Sequence, residues 1–398
     1  MNDIQESIYN KNHVALLLLD SSSAFDTVDQ DILLNKLKYT FKIGNNSLGM
    51  IQSYLKDRSF SVSCNNTVSK SKNLNTGVPQ GSLLGPLMYI LYTKDLENIA
   101  HSFEMKINTY ADDIQLFISF SLCDTQHSID KMTNCLNKIK EWMDTNYLKI
   151  NTGKTQLKLF NPCLENIPFQ LNFDNNTIDP IDEINILGVR LKKNLDLSAF
   201  IGRKVRSCHL QLRNLYHIRQ SIPFNVRVTL VVSTIISQLD YCNSILAGAT
   251  GTTIRPLELI LNRGIRFIFG INKFTHITPY LARLHILPIR FRISYKLNQI
   301  AHNMFYRMTP QYMACHFSKF KKTHNINLRE EVGRDKFMFA EKGPVTRTAT
   351  IFDKIKKEWN ALPITLRRTT DENLFKKSLK THLFKKAFPE HTKEVEMK

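Results

Sequence analysis

Three acidic residues stand where carboxylates could do chemistry. Asp20 closes Val14–Leu19, six apolar residues in a row, and Asp112-Asp113 separate two strand-like runs, Lys106 to Ala111 and Ile114 to Ser119. A carboxylate placed directly after an apolar run costs desolvation energy unless a cation or a donor meets it. If these elements neighbour one another in a sheet, at the ~4.8 Å strand spacing, their carboxylates converge at its edge. Converging carboxylates raise one another's pKa unless divalent ions neutralise them. Mg²⁺ suits that duty, with Mn²⁺ as the alternative ion, because it takes one or two carboxylates and fills its remaining positions with water and phosphate oxygens. Two such ions about 3.5–4 Å apart would activate an attacking hydroxyl and stabilise a leaving pyrophosphate. Paired Asp at a hairpin tip is equally ordinary turn chemistry.

A loop between the acidic positions narrows the choice. Gly77-Val78-Pro79-Gln80-Gly81-Ser82 combines glycines that let backbone approach a ligand, a proline of fixed φ, and one amide side chain. A plain loop ending in a Ser82 N-cap, with Pro86 in the first helical turn, accounts for Ser82 and Pro86. It leaves Gln80 without a structural duty.

The elements that must position these residues can be read from hydrophobic period. Residues 2–11 read as a short helix, and Val14–Leu19 as a strand buried on both faces. Ile32–Phe41 and Leu48–Leu55 read as helices, and residues 60–72 as a hairpin around Asn65-Asn66. An apolar helix is expected to run through about Leu96, and another over 126–146 with Trp142 and Met143 on its apolar side. Residues 156–160 and 168–191 read as strands, turning at Asp174–Thr177. From about 196 the pattern is helical, broken at Pro223, Pro256, Pro279, Pro288 and Pro310. The expectation is an α+β half followed by a basic helical half, the change falling near residue 195.

Charge follows the same division. The chain of 398 residues carries +19, but 201–398 hold 35 Lys/Arg against 13 Asp/Glu, leaving 19 against 22 in 1–200. Such asymmetry suggests a polyanionic partner. Arg203 and Lys204, Arg263 and Arg266, and Arg290 and Arg292 are the candidate contacts; the last two pairs are interleaved with aromatics, a mixture that suits phosphate contact plus stacking. Each cluster taken alone also reads as the solvated face of an amphipathic helix. The 42% hydrophobic content excludes wholesale disorder, and no run approaches the ~20 residues a bilayer requires. Seven cysteines without a C-x-x-C pair argue against a disulfide framework and fit a reducing compartment. The chain is therefore expected inside the cell, in nucleus and cytoplasm, with its sequons at Asn45, Asn65 and Asn175 silent.

Taken together and in order, these segments resemble the reverse transcriptases of non-long-terminal-repeat (LINE-like, jockey-like) retrotransposons. Leu19–Asp29 resembles motif A, Gly77–Leu87 motif B, Tyr110–Phe117 motif C, Asn151–Thr155 motif D and Ile186–Val189 motif E. The likeness continues through Leu239-Asp240-Tyr241-Cys242-Asn243, His276–Pro279 and Leu284–Pro288, and ends near Phe375–Phe384. It implies a right-hand polymerase palm with partial, truncated fingers over 1–165, a motif E strand region over 166–195, a helical thumb over 196–290 and a basic C-terminal helical region over 291–398. It implies that Asp20 and Asp112, with Asp113 beside them, hold two Mg²⁺ ions. Phe25 would lie under the incoming sugar, although a core aromatic is the other reading of that residue. Gln80 and the Gly81 backbone would touch the nucleotide or template, Lys154 would meet the pyrophosphate unless it is simply a surface lysine, and the motif E segment would grip the primer. The implied partners are an RNA template, a DNA primer or target, and dNTPs.

The sequence also departs from the family. Asp20 lies close to Met1, whereas the family places basic fingers strands and an endonuclease ahead of motif A; a truncated copy, a partial gene or half of a split enzyme is the expectation. Lys192 and Phe200 stand where the family shows Asp and then His, and Ile114 where Thr is usual. A nucleic-acid-binding remnant without catalysis is the alternative.

Overall fold

The computed structural model describes residues 1–22, 24–160, 168–192, 195–319, 337–339 and 350–394. Ser23 of the motif A run and Cys163 lie outside the described residues. The chain is mixed helix and strand and forms two compact units. Ser7–Ile184 make one; Asn185–Lys192 and Asp196–Lys398, with Met1–Glu6, make the other.

In the first unit a four-stranded antiparallel sheet carries the acidic positions. Its strands are β1 (His13–Leu19), β2 (Lys106–Tyr110), β3 (Asp113–Phe120) and β4 (Gln156–Phe160), in the order β4-β1-β3-β2. β1 is central because it is apolar throughout, with Val14, Ala15 and Leu17 fully buried, and a valine or leucine so buried stabilises the fold by about 1.5–3 kcal/mol. Thr125–Thr145 is a helix whose buried Ser128, Met132, Cys135, Leu136, Ile139 and Met143 recur every three or four residues, the spacing of a single face. Asn65 and Asn66 both have positive φ, the conformation an asparagine-rich hairpin turn needs.

The expected apolar helix through Leu96 is two helices, Gly85–Tyr92 and Asp95–Ser102. Thr93 ends the first by returning its hydroxyl to Tyr89 O at 3.0 Å, a bond that competes with helix continuation. Asp95 and Glu97 then open the second, where negative charge suits the helix dipole.

The second unit is mostly helical, and four of the five prolines expected to break the pattern stand at breaks between helices. Pro223, Pro288 and Pro310 are N-caps and Pro279 sits in a first turn, so these four start helices. Pro256 lies inside the uninterrupted helix Gly251–Phe269, at the cost of one backbone hydrogen bond. A two-stranded ribbon, Phe317–Lys319 with Phe337–Phe339, interrupts the helical pattern. No helix among the described residues is long and apolar enough to cross a membrane.

The C-terminal helices Ile351–Asn360 and Glu372–Ala387 close over Ile289–Arg307 around an aromatic cluster. His302 stacks on Phe375 at 4.3 Å, near the fully buried Trp359, and its Nε2 lies 3.0 Å from Thr369 O. Burial pushes the His302 imidazole below its usual pKa, against the opposing pull of the Thr369 carbonyl and the Glu372 charge. The folded state therefore disfavours His302 protonation, so its stability is complete above the unfolded histidine pKa and falls as pH drops through it. Wild-type protein should melt at a lower temperature at pH 5 than at pH 7.5, and His302→Gln should narrow that gap. An unchanged gap would show that other groups, such as His209 and His382, carry the dependence.

Candidate active site

Asp20 is delivered by the strand before it. The last β1–β3 pair is Leu19 with Ile114, so the same antiparallel register carried one step further sets Asp20 against Asp113. β1 then leaves β3: Ser21 and Ser22 pair with Ile150 and Lys149, and Asp20 O accepts from Asn151 N at 2.8 Å. Asp112 and Ala111 form the turn between β2 and β3, closed by the Tyr110–Asp113 pair, with Ala111 at φ 52°. The acidic tips are thus brought together.

Their electrostatics report that proximity. Burial holds the Asp113 carboxyl above the usual carboxylate range, and the charges of Asp112 and Asp20 push it the same way. Asp20 Oδ2 is buried without a hydrogen-bond donor; the Lys154 ammonium lies 3.2 Å away, on a largely exposed side chain. A buried carboxylate oxygen met by one exposed lysine and set beside two further carboxylates is what a divalent cation would relieve, so these residues fit the implied ions. Among the described residues no three His, Cys, Asp or Glu side chains form a cage of their own. An ion here would take one or two carboxylates from the protein and its other oxygens from water or phosphate, the habit of Mg²⁺.

The glycine-rich loop lies across residues 25–30. Gly77 N donates to Val28 O at 2.7 Å, Val78 N to Phe25 O at 2.8 Å, and Gln30 Nε2 to Gly77 O at 3.2 Å. Gln80 does have a structural partner: its amide donates to Asp26 Oδ1 at 3.0 Å while remaining exposed. Ser82 is not the N-cap, which is Leu84; its hydroxyl accepts from Gly85 N at 2.9 Å and donates to Pro79 O at 2.7 Å, bracing the turn before the helix. Gly81 has φ +76° with open space where a Cβ would stand, so backbone conformation alone asks for glycine. Phe25 is half-buried and packs on Tyr89 at 4.9 Å, which keeps both readings of that ring in play.

Two participants were not singled out in the sequence. Burial pushes the Tyr89 phenol up to about 12; its neighbour Ser21 opposes this and the Asp112 charge reinforces it. Tyr89 therefore lies close to the carboxylates, yet within an apolar helix it reads as ordinary core. Asp26, the anchor for Gln80, could have been noticed as a second acidic residue shortly after Asp20.

The six basic candidates separate sharply. Arg203 is exposed on Ser198–Ile218, and Arg290 is exposed, 3.8 Å from Glu258. Arg263 is exposed and lies 2.7 Å from His209 Nδ1; burial, helped by the Arg263 charge, keeps that imidazole below its usual pKa and so able to accept. The other three also bond within the fold. Lys204 is buried, its amine donating to Gln238 O at 2.7 Å and to Tyr241 O, and burial brings its pKa down to about 8. Arg292 forks onto Asp240, with Nε 2.6 Å from Oδ1. Arg266 donates to the carbonyls of Asn272 and Lys273, at 3.2 and 2.9 Å. These cations are spent on the fold, because an arginine or lysine beside unpaired carbonyls is satisfied internally.

Residues 3–191 match the family described as reverse transcriptase (RNA-dependent DNA polymerase). Among curated proteins the chain is 28% identical over 304 residues to a probable RNA-directed DNA polymerase from transposon BS of Drosophila melanogaster, covering 73% of this chain and 33% of that protein. It is 26% identical over 279 residues to the RNA-directed DNA polymerase from mobile element jockey of Drosophila funebris, covering 68% of this chain and 30% of that one. Over residues 3–191 the chain is thus similar to the reverse transcriptase family, and over most of its length it is similar to the RNA-directed DNA polymerases of these mobile elements. It spans about a third of the length of the curated relatives it matches. Among solved structures, apo telomerase from Candida tropicalis aligns over 77% of this chain and 53% of its own, with a TM-score of 0.40 and 12% identity.

Proposed function

We propose that this chain is the polymerase core of an RNA-directed DNA polymerase, joining a dNTP to a primer 3′-hydroxyl on an RNA template. The convergence of Asp20 with Asp112 and Asp113 at one sheet edge carries this reading. In it the first unit acts as palm and the helical unit as thumb and basic extension. The 3′-hydroxyl attacks the α-phosphate in line and pyrophosphate departs, a reaction in which positioning and charge stabilisation supply most of the catalysis. Asp20 and Asp112, with Asp113, would hold two Mg²⁺ ions, which when bound would favour the attacking alkoxide and neutralise the leaving group. Phe25 would floor the sugar, and Gln80, steadied by Asp26, would face the nucleotide beside the Gly81 backbone. Lys154, already at Asp20, is placed to turn toward pyrophosphate. A chain with this role works in nucleus and cytoplasm.

The test is primer extension on an RNA template with and without Mg²⁺. No extension under any template, salt or metal condition would leave the binding remnant as the better reading. Binding has its own signature. Arg203→Ala and Arg263→Ala should each reduce the slope of log affinity against log salt by about 1. Lys204→Arg should leave it unchanged, since that residue is buried. Equal slopes in all three variants would move the nucleic-acid surface elsewhere.

A further inference from the structure

The segment Leu239–Asn243 has no role in the chemistry described above, yet it bonds to three separate parts of the helical unit. Lys204, on Ser198–Ile218, donates to Gln238 O and Tyr241 O, with its ammonium 4.5 Å from the Phe200 ring centroid. Asp240 takes Arg292, on Ile289–Arg307, and accepts from Asn243 Nδ2 at 3.3 Å. The Tyr241 hydroxyl donates to Leu187 O at 2.5 Å. Cys242 makes the bend with φ 51°, and Leu239 and Asn243 anchor it as buried side chains.

Leu187 is the unusual end of this chain of contacts. It and Gly188 turn the hairpin between Ile184–Ile186 and Val189–Leu191, with φ 47° and 80°. Glycine adopts that conformation freely, whereas a leucine there is strained. Strain of this kind persists only where surroundings hold it, and it gathers at functional sites. Packing does not do all the holding: a cleft of about 190 Å³, lined by Gly188, Phe200, Arg203 and Tyr241 among others, opens beside the turn. The tyrosine hydroxyl is a strut reaching the turn next to that space.

We propose that residues 239–243 are a three-way joint that sets the Leu187–Gly188 turn against the Ser198–Ile218 and Ile289–Arg307 helices, with Tyr241 and Lys204 as positioning residues for the primer end. The last clause rests on the polymerase reading, in which this turn grips the primer. Lys204 holds the joint to one helix and Asp240 holds it to the other, so the tyrosine transmits their placement to the turn. The turn then presents the primer terminus while the exposed arginines bind the rest of the duplex.

Tyr241→Phe removes the strut and keeps the ring in the cleft wall. In the full chain it should lower kcat for primer extension about fivefold, the worth of one hydrogen bond lost, with duplex affinity and the KM for dNTP within about twofold of wild type. Amide hydrogen exchange should quicken about fivefold or more over residues 184–192 and nowhere else in the helical unit. Lys204→Arg, which can still donate to the two carbonyls, should fall between wild type and Tyr241→Phe. Unchanged exchange at the turn in Tyr241→Phe would overturn the joint. So would faster exchange throughout the unit with duplex affinity falling in step, since that would make Tyr241 general support. If wild type proves inactive, the polymerase reading fails separately and the exchange measurement alone decides the strut.

Discussion

Asp112→Asn is expected to reduce primer extension by about 10³-fold or more while leaving duplex affinity and folding intact. The substitution keeps the size and shape of the side chain and removes one negative charge from a group of three. In the proposed reaction that charge is needed: the carboxylates hold the cations that meet developing negative charge on the α-phosphate and pyrophosphate, and an amide oxygen is a far weaker ligand for a hard ion. In the metal-free protein the effect has the opposite sign. Asp113 is pushed upward by its burial and by the charges of Asp112 and Asp20, so losing one of them relieves repulsion. Asp112→Asn should therefore melt no lower than wild type in chelator, and Mg²⁺ should raise its melting temperature less. A variant that lost activity together with tens of per cent of its helical signal would be misfolded and would say nothing for catalysis. One that extended primers at wild-type rate would end the proposal that Asp112 holds a catalytic ion.

The features legible in the sequence were those set by local period and by order. Val14–Leu19 read as a strand covered on both sides, and an acidic residue at its end was expected at the sheet edge if its neighbours paired with it. The pairing partner was less accessible, since register depends on residues far along the chain; the Leu19–Ile114 pair that sets Asp20 against Asp113 is visible only in the fold. Charged side chains misled most. Lys158 and Lys204 count as surface cations in a composition, yet both are buried with their amines on backbone carbonyls, Ile181 and Asp182 for one and Gln238 and Tyr241 for the other. A strand or helix period shows that such a residue faces inward only if the neighbours on that face are known. Pro256 misled for a related reason: the cost of one lost backbone bond is small beside the burial of Leu257, Ile260, Leu261 and Ile265 on the same helix.

The motif B loop offers the second large effect, and it is one of shape. Gly77 has φ +87°, and a Cβ built there would lie 2.9 Å from Asp26 O and 3.0 Å from both Asp26 Cα and Phe25 O. All three are backbone atoms, so no side chain can swing aside; the loop and the motif A segment must part. Their contact is held by the bonds from Gly77 N to Val28 O and from Val78 N to Phe25 O, which the same shift would stretch. Gly77→Ala should therefore cost about 1–2 kcal/mol for the backbone conformation and a further 1–3 kcal/mol for the displacement. For a unit of this size, a total of about 3 kcal/mol corresponds to a melting temperature lower by roughly 10 °C. Gly81→Ala is the matched control. Its φ of +76° carries the same conformational cost, but nothing lies within 4 Å of the added methyl, so about 1 kcal/mol is expected. Thermal melts of the two variants separate the causes: an equal drop would mean that conformation alone matters and that the close approach of the loop to Phe25 and Asp26 is incidental. A much larger drop for Gly77→Ala would show that the loop's close approach to Phe25, the proposed sugar floor, and to Asp26, which holds Gln80, is what the glycine serves.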